Sequence, residues 1–251
     1  MTPYYLEAGI TIFLGDCREV LPQLERVDHV ITDPPYSDHV HGKQWVGASL
    51  TKGKARYARN FHGDGAHKEL GFDALTIELR AFIAAQAARL VGRWSLICSD
   101  IEGAAGWREA IAETELEHVR TCIWVKPDSA PQFTGDRPGS GAEAIVVSHP
   151  SGKKRWNGGG HRGVFEHAVN GYGQLERLHP AAKPESLLRE LVAMFTDHGD
   201  LILDPFGGSG TTAVAAKRLG RRCILIEQQE KYAEIAAKRL AQGALPLEFS
   251  P

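Results

Sequence analysis

Two short stretches carry the residue types that could do chemistry. The first, Asp33-Pro34-Pro35-Tyr36, joins a carboxylate, two imino acids and a phenol. Consecutive prolines forbid helix and remove two N–H donors, so this loop is stiff and rich in acceptors. It suits an exocyclic amino group on a heterocycle. The Asp33 side chain and the Pro34 carbonyl would accept its two hydrogens, and the Tyr36 ring would stack on the base. Taken alone, the same four residues could equally form a rigid turn that binds nothing.

The second stretch is Asp204-Pro205-Phe206-Gly207-Gly208-Ser209-Gly210-Thr211-Thr212. The apolar run Leu201-Ile202-Leu203 precedes it, and the spacing of Ala213, Val214, Ala216 and Leu219 continues it as a helix. Glycines let a ligand approach the backbone, and a helix start presents free N–H groups. Gly220 ends the helix, and residues 223–226 form another apolar run that stops at Glu227-Gln228. A carboxylate about 20 residues beyond the glycines is placed to accept hydrogen bonds from ribose hydroxyls. Gly210 is followed by Thr211 rather than by lysine, which argues against an ATP loop, and the glycine spacing does not fit a dinucleotide fingerprint. The expectation is a different nucleoside cofactor.

These loops need strands and helices to position them. Strands are expected at 10–14, 28–32, 94–98, 120–125, 144–148, 201–203 and 223–226. Helices are expected at 76–91, 106–114, 184–195, 211–219 and 232–240, with Val20, Leu21 and Leu24 on a further helical face. The alternation implies one doubly wound α/β sheet of about seven strands, spanning residues 1–251 as a single domain with loop insertions. No apolar run is long enough to cross a membrane, and MTPYYLEAG does not read as a signal peptide. Cys17, Cys98, Cys122 and Cys223 stand singly, so reduced thiols and a cytoplasmic setting are expected. His39 and His41 are too few ligands for a metal site, and none is expected.

The net charge of −2 excludes a generally basic nucleic-acid binder, so the distribution of charge matters more. Residues 37–72 form a basic loop, expected to be mobile without DNA, in which Lys43, Lys52, Lys54, Arg56 and Arg59 are candidate phosphate contacts. Residues 149–178 form a second loop. Lys153 and Lys154 belong to its basic patch, and Arg155, Asn157, His161 and Arg162 have side chains suited to base edges. Such patches are more often simply solvated.

The glycine stretch resembles motif I of the DNA amino-methyltransferases, and Asp33-Pro34-Pro35-Tyr36 is similar to their motif IV. With the base-handling loop first and the cofactor loop near the C-terminus, the order resembles the circularly permuted beta type. Gly15-Asp16-Cys17 then looks like motif III, with Asp16 near the cofactor adenine. His179-Pro180-Ala181-Ala182-Lys183-Pro184 resembles motif X at the methionine end of the pocket, although the family usually carries Thr and Gln where Ala181 and Ala182 stand. The resemblance implies a Rossmann-like fold, S-adenosyl-L-methionine as cofactor and double-stranded DNA as substrate. It implies direct methyl transfer to adenine N6 after base flipping, with cytosine N4 as the alternative. An RNA or protein N-methyltransferase and an inactive nucleic-acid-binding module are the rival classes. A homodimer and a cognate restriction endonuclease are compatible partners.

Overall fold

The computed structural model describes residues 1–36, 75–129, 136, 138–169 and 183–242. Nine strands form one sheet: β1 (Tyr5–Glu7), β2 (Ile10–Leu14), β3 (His29–Thr32), β4 (Ser95–Ser99), β5 (Leu116–Val125), β6 (Ala142–Pro150), β7 (Val164–Glu166), β8 (Leu201–Asp204) and β9 (Arg222–Glu227). Their order is β1-β2-β9-β8-β3-β4-β6-β5-β7. The run β2-β9-β8-β3-β4 is parallel throughout, while β6 runs antiparallel to both β4 and β5.

The helices are α1 (Cys17–Val20), α2 (Ile77–Leu90), α3 (Ala104–Ala112), α4 (Glu185–Phe195), α5 (Thr211–Arg218) and α6 (Glu230–Ala241). Alternation along the strands sends successive side chains to opposite faces, so the parallel strands need apolar residues on both. Ile31, Leu96, Ile202 and Leu225 pack with α4, α5 and α6 on one face. Val30, Ile97, Leu203 and Ile226 pack with α1, α2 and α3 on the other. This is the doubly wound arrangement that the seven expected strands implied.

The two additional strands, β1 and β7, have three residues each, too few for a period of two to stand out. β6 runs on to Pro150, and with β7 it corrects the reading of residues 149–178 as loop throughout. Pro22 turns the continuation of α1 into a 3₁₀ turn, Leu21–Gln23. The third helix starts at Ala104 rather than 106, and Thr114 closes its end by donating its hydroxyl to the Ile111 carbonyl.

β2 pairs in parallel with β9, placing Leu14 opposite Glu227. Ala233, Ala236 and Leu240 of α6 share a core with Ile10 and Ile12 of β2, so the last helix returns the chain to the first long strand. The permuted order follows from that proximity. Among the described residues, no helix is long and apolar enough to cross a membrane.

Candidate active site

Parallel strands end on a common edge. Asp16 follows β2, Glu227 ends β9, Asp204 ends β8, Asp33 follows β3, and Ser99 ends β4. From β8 the chain winds outward to β9, with β2 beyond it, and from β3 it winds the other way to β4. The switch point lies between β8 and β3, where an open α/β sheet leaves a crevice. Both chemically loaded loops flank it.

The glycine loop is held from below. Asp204 is 2% exposed, and its Oδ1 accepts from the Thr32 hydroxyl at 2.8 Å and from Phe206 N at 3.1 Å. Burial lifts its carboxyl to about 6, against the pull of hydrogen bonds from Thr212 and Thr32. Gly210 adopts φ +81°, and a Cβ there would lie 2.8 Å from Ala236 Cβ, so helix α6 can approach only a glycine. Arg239 of α6 donates to the Ser209 carbonyl at 2.6 Å, tying the loop to that helix. Pro205, Gly207, Ser209, Gly210, Thr211 and Thr212 are buried, so they shape the loop rather than line its open side.

The open side is formed by Phe206, Gly208, Glu227 and Gln228. A Cβ on Gly208 would meet nothing within 4 Å, which leaves room for a ligand over the backbone. Glu227 accepts from Gly208 N and from Gln229 N, both at 2.8 Å, one on each carboxylate oxygen. The Gln228 amide also draws on the carboxylate, which keeps acceptor capacity for a ribose hydroxyl. Burial raises the Glu227 carboxyl despite the backbone amides that lower it. A nucleoside fits this cradle. Gly15 N donates to the Glu227 carbonyl at 2.9 Å, which brings Asp16 to the same edge. The Asp16 carboxylate caps α1 through Arg18 N, and the Arg18 side chain, which also pairs with it, holds it below the usual carboxylate range. Cys17 points into the core, and burial pushes its thiol up to about 12.

At the tetrapeptide, Pro34 is buried while Asp33, Pro35 and Tyr36 are half-buried. Lys183 reaches this loop rather than the glycines. Its ammonium lies 2.6 Å from Asp33 Oδ1 and 2.7 Å from the Tyr36 oxygen. Tyr36 donates to Glu143 of β6, whose other oxygen accepts from Lys126 at 2.7 Å. Burial raises the Asp33 carboxyl, with Lys183 opposing. Glu143 stays below its usual range because two ammonium groups overcome its burial. Pro184 caps α4 with extended backbone and fixes where Lys183 emerges. Glu143 and Lys126 carry no motif of their own; Glu143 merely precedes an apolar run and Lys126 follows one. They come to the site because Trp124 pairs with Glu143 across β5 and β6.

The candidate DNA contacts divide. Lys43, Lys52, Lys54, Arg56 and Arg59 lie outside the described residues, as do residues 179–182. β6 runs away from the crevice and ends at Pro150, so residues 151–157 sit at the opposite edge of the sheet. There Lys154 pairs with Glu117 at 2.7 Å and Arg155 with Asp197 at 3.2 Å. The Asn157 amide donates to the Thr196 carbonyl at 2.9 Å, with Lys153 exposed on the same segment. Strand length separates these four from the base loop by on the order of 15 Å, and none is brought to the crevice. His161 accepts from Gly163 N at 3.1 Å and Arg162 is exposed, both just before β7, whose strand leads back toward the crevice. Among the described residues no cluster of His, Cys, Asp and Glu could hold a metal.

A doubly wound sheet with an acceptor-rich loop and a glycine cradle on either side of the switch point defines a Rossmann-like α/β architecture. The chain belongs to the N6/N4 DNA methylase family, whose model matches residues 27–238. The type II methyltransferase M2.DpnII of Streptococcus pneumoniae is 58% identical over 62 residues, 25% of this chain and 23% of that protein. The match therefore spans about a quarter of the relative. Among solved structures, a complex of M1.HpyAVI with SAM has a TM-score of 0.66 at 24% identity, covering 92% of this chain and 98% of that one. The PvuII DNA methyltransferase, described as cytosine-N4-specific, has a TM-score of 0.71 at 17% identity, covering 94% and 88%. At these identities the likeness is one of fold.

Proposed function

We propose that this chain transfers a methyl group from S-adenosyl-L-methionine to the exocyclic N6 of adenine in double-stranded DNA, with the base flipped out of the helix. The observation that carries the reading is the position of Asp33-Pro34-Pro35-Tyr36 and the Gly207–Gly210 loop on either side of one crevice, in a chain of the N6/N4 family. The bound cofactor supplies an electrophilic sulfonium methyl. Glu227 holds its ribose, and Gly208 leaves the backbone open to it. The Gly210 turn and Arg239 keep that loop in shape.

An aromatic amino nitrogen is a poor nucleophile because its lone pair is spread into the ring. Asp33 and the Pro34 carbonyl accept its two hydrogens and favour the pyramidal nitrogen that attacks, a preference stronger in the transition state than in the ground state. Once the nitrogen has taken the methyl group, its surplus proton would pass toward Asp33 and solvent. By resemblance to the amino-methyltransferases, whose cytosine-N4 enzymes more often carry serine there, the aspartate in the first place of the tetrapeptide leans toward adenine. Unmodified duplex DNA incubated with enzyme and cofactor, then mapped by sequencing, tests the reading; RNA and protein serve as parallel substrates. N6-methyladenine in one sequence context is expected. N4-methylcytosine, or methylation of RNA or protein alone, would overturn it. Asp33→Ala should lower turnover by at least about a hundredfold with cofactor affinity nearly unchanged.

A further inference from the structure

The crevice holds more charge than methyl transfer to an amino group requires. Two carboxylates, Asp33 and Glu143, alternate with two ammonium groups, Lys183 and Lys126. The Lys183 nitrogen is 2.6 Å from Asp33, 2.7 Å from the Tyr36 oxygen and 3.1 Å from Glu143 Oε2. It also lies 4.9 Å from the centroid of the Tyr36 ring. Only 8% of its side chain is exposed. One internal cation therefore engages both groups assigned to the base. An N–H donor stands where the hydrogens of an amino group would bind, and the two cannot share Asp33 Oδ1 and the Tyr36 face freely.

The cation cannot leave alone, because an unpaired buried charge is strongly unfavourable. Glu143 offers a nearby destination, and Tyr36 already donates to the same carboxylate. Lys126 draws on Glu143 at 2.7 Å and so weakens its hold on Lys183.

We propose that Glu143 is a positioning residue that takes over the Lys183 ammonium when the target amino group enters, so that an internal cation keeps Asp33 and Tyr36 in place until the base replaces it. This rests on the methyl-transfer reading above. No proton moves in the exchange: the carboxylates of Asp33 and Glu143 hold Lys183 charged against the effect of its burial.

Steady-state kinetics on a duplex carrying the mapped site, at saturating cofactor, test the exchange. Glu143→Gln removes the destination charge and should raise KM for the duplex about tenfold, the scale of one charge-assisted hydrogen bond, with cofactor affinity unchanged. Lys126→Met frees Glu143 to grip Lys183 and should lower that KM by roughly threefold. Adding Lys183→Met to Glu143→Gln should return KM to within about twofold of wild type. A purely structural role for Glu143 predicts neither the fall nor the rescue. An unchanged KM in Glu143→Gln, a raised KM in Lys126→Met, or a double variant worse than the single would each overturn the exchange. If Glu143→Gln does not fold, the sign of the Lys126→Met effect decides. A wild-type chain that methylates no duplex overturns the function itself, whereas these failures in an active enzyme overturn only the exchange.

Discussion

Replacing Asp204 by asparagine should stabilise the folded chain at neutral pH, by an amount that shrinks on acidification. The Asp204 carboxyl is buried, and its pKa rises from 3.8 to about 6. Between those values the native state binds more protons than the unfolded state, so the stability contributed by this group falls as pH rises through the window. Above about 6 the full penalty applies; a shift of about two units corresponds to roughly 3 kcal/mol. At pH 5 the same linkage leaves about half of it. Asparagine preserves the geometry, because Asp204 accepts from Thr32 and from Phe206 N on the single oxygen Oδ1. The Thr212 hydroxyl can turn to accept from the new amide nitrogen. Urea unfolding of both chains at pH 5 and pH 8 without cofactor measures the difference. The variant should be more stable by about 3 kcal/mol at pH 8 and about 1.5 kcal/mol at pH 5. A difference that does not vary with pH, or a variant less stable at pH 8, would refute the assignment of a buried charge to Asp204.

Glu227→Ala should weaken S-adenosyl-L-methionine binding by about 1.5–3 kcal/mol, the range for a hydrogen bond to a charged group, as read by calorimetry; unchanged affinity would leave Glu227 only its bonds to Gly208 N and Gln229 N. Gly210→Ala combines a left-handed backbone with a Cβ 2.8 Å from Ala236 Cβ. It should destabilise the fold by at least about 1–2 kcal/mol in the same urea assay, and a neutral effect would mean that α6 can move away from the loop without loss.

The sequence by itself determined seven of the nine strands and both loops, because those features are local. Leu201-Ile202-Leu203 and residues 223–226 are continuous apolar runs, a pattern that a strand covered on both faces must have. Asp33-Pro34-Pro35-Tyr36 and the glycines after Asp204 declare their backbone chemistry through residue type alone. The limits of β1 and β7 were not legible, since a three-residue edge strand has no period to detect. Only the tertiary structure decided which distant charges meet. Lys183 shares a pocket with Asp33 because α4 begins beside the switch point, and Glu143 and Lys126 join them through the β5–β6 pairing. The same pairing carries Lys153, Lys154, Arg155 and Asn157 to the far edge, where sequence proximity to a glycine-rich loop says nothing. Motifs record what one stretch of backbone can do, whereas register and crossover decide which side chains share one space.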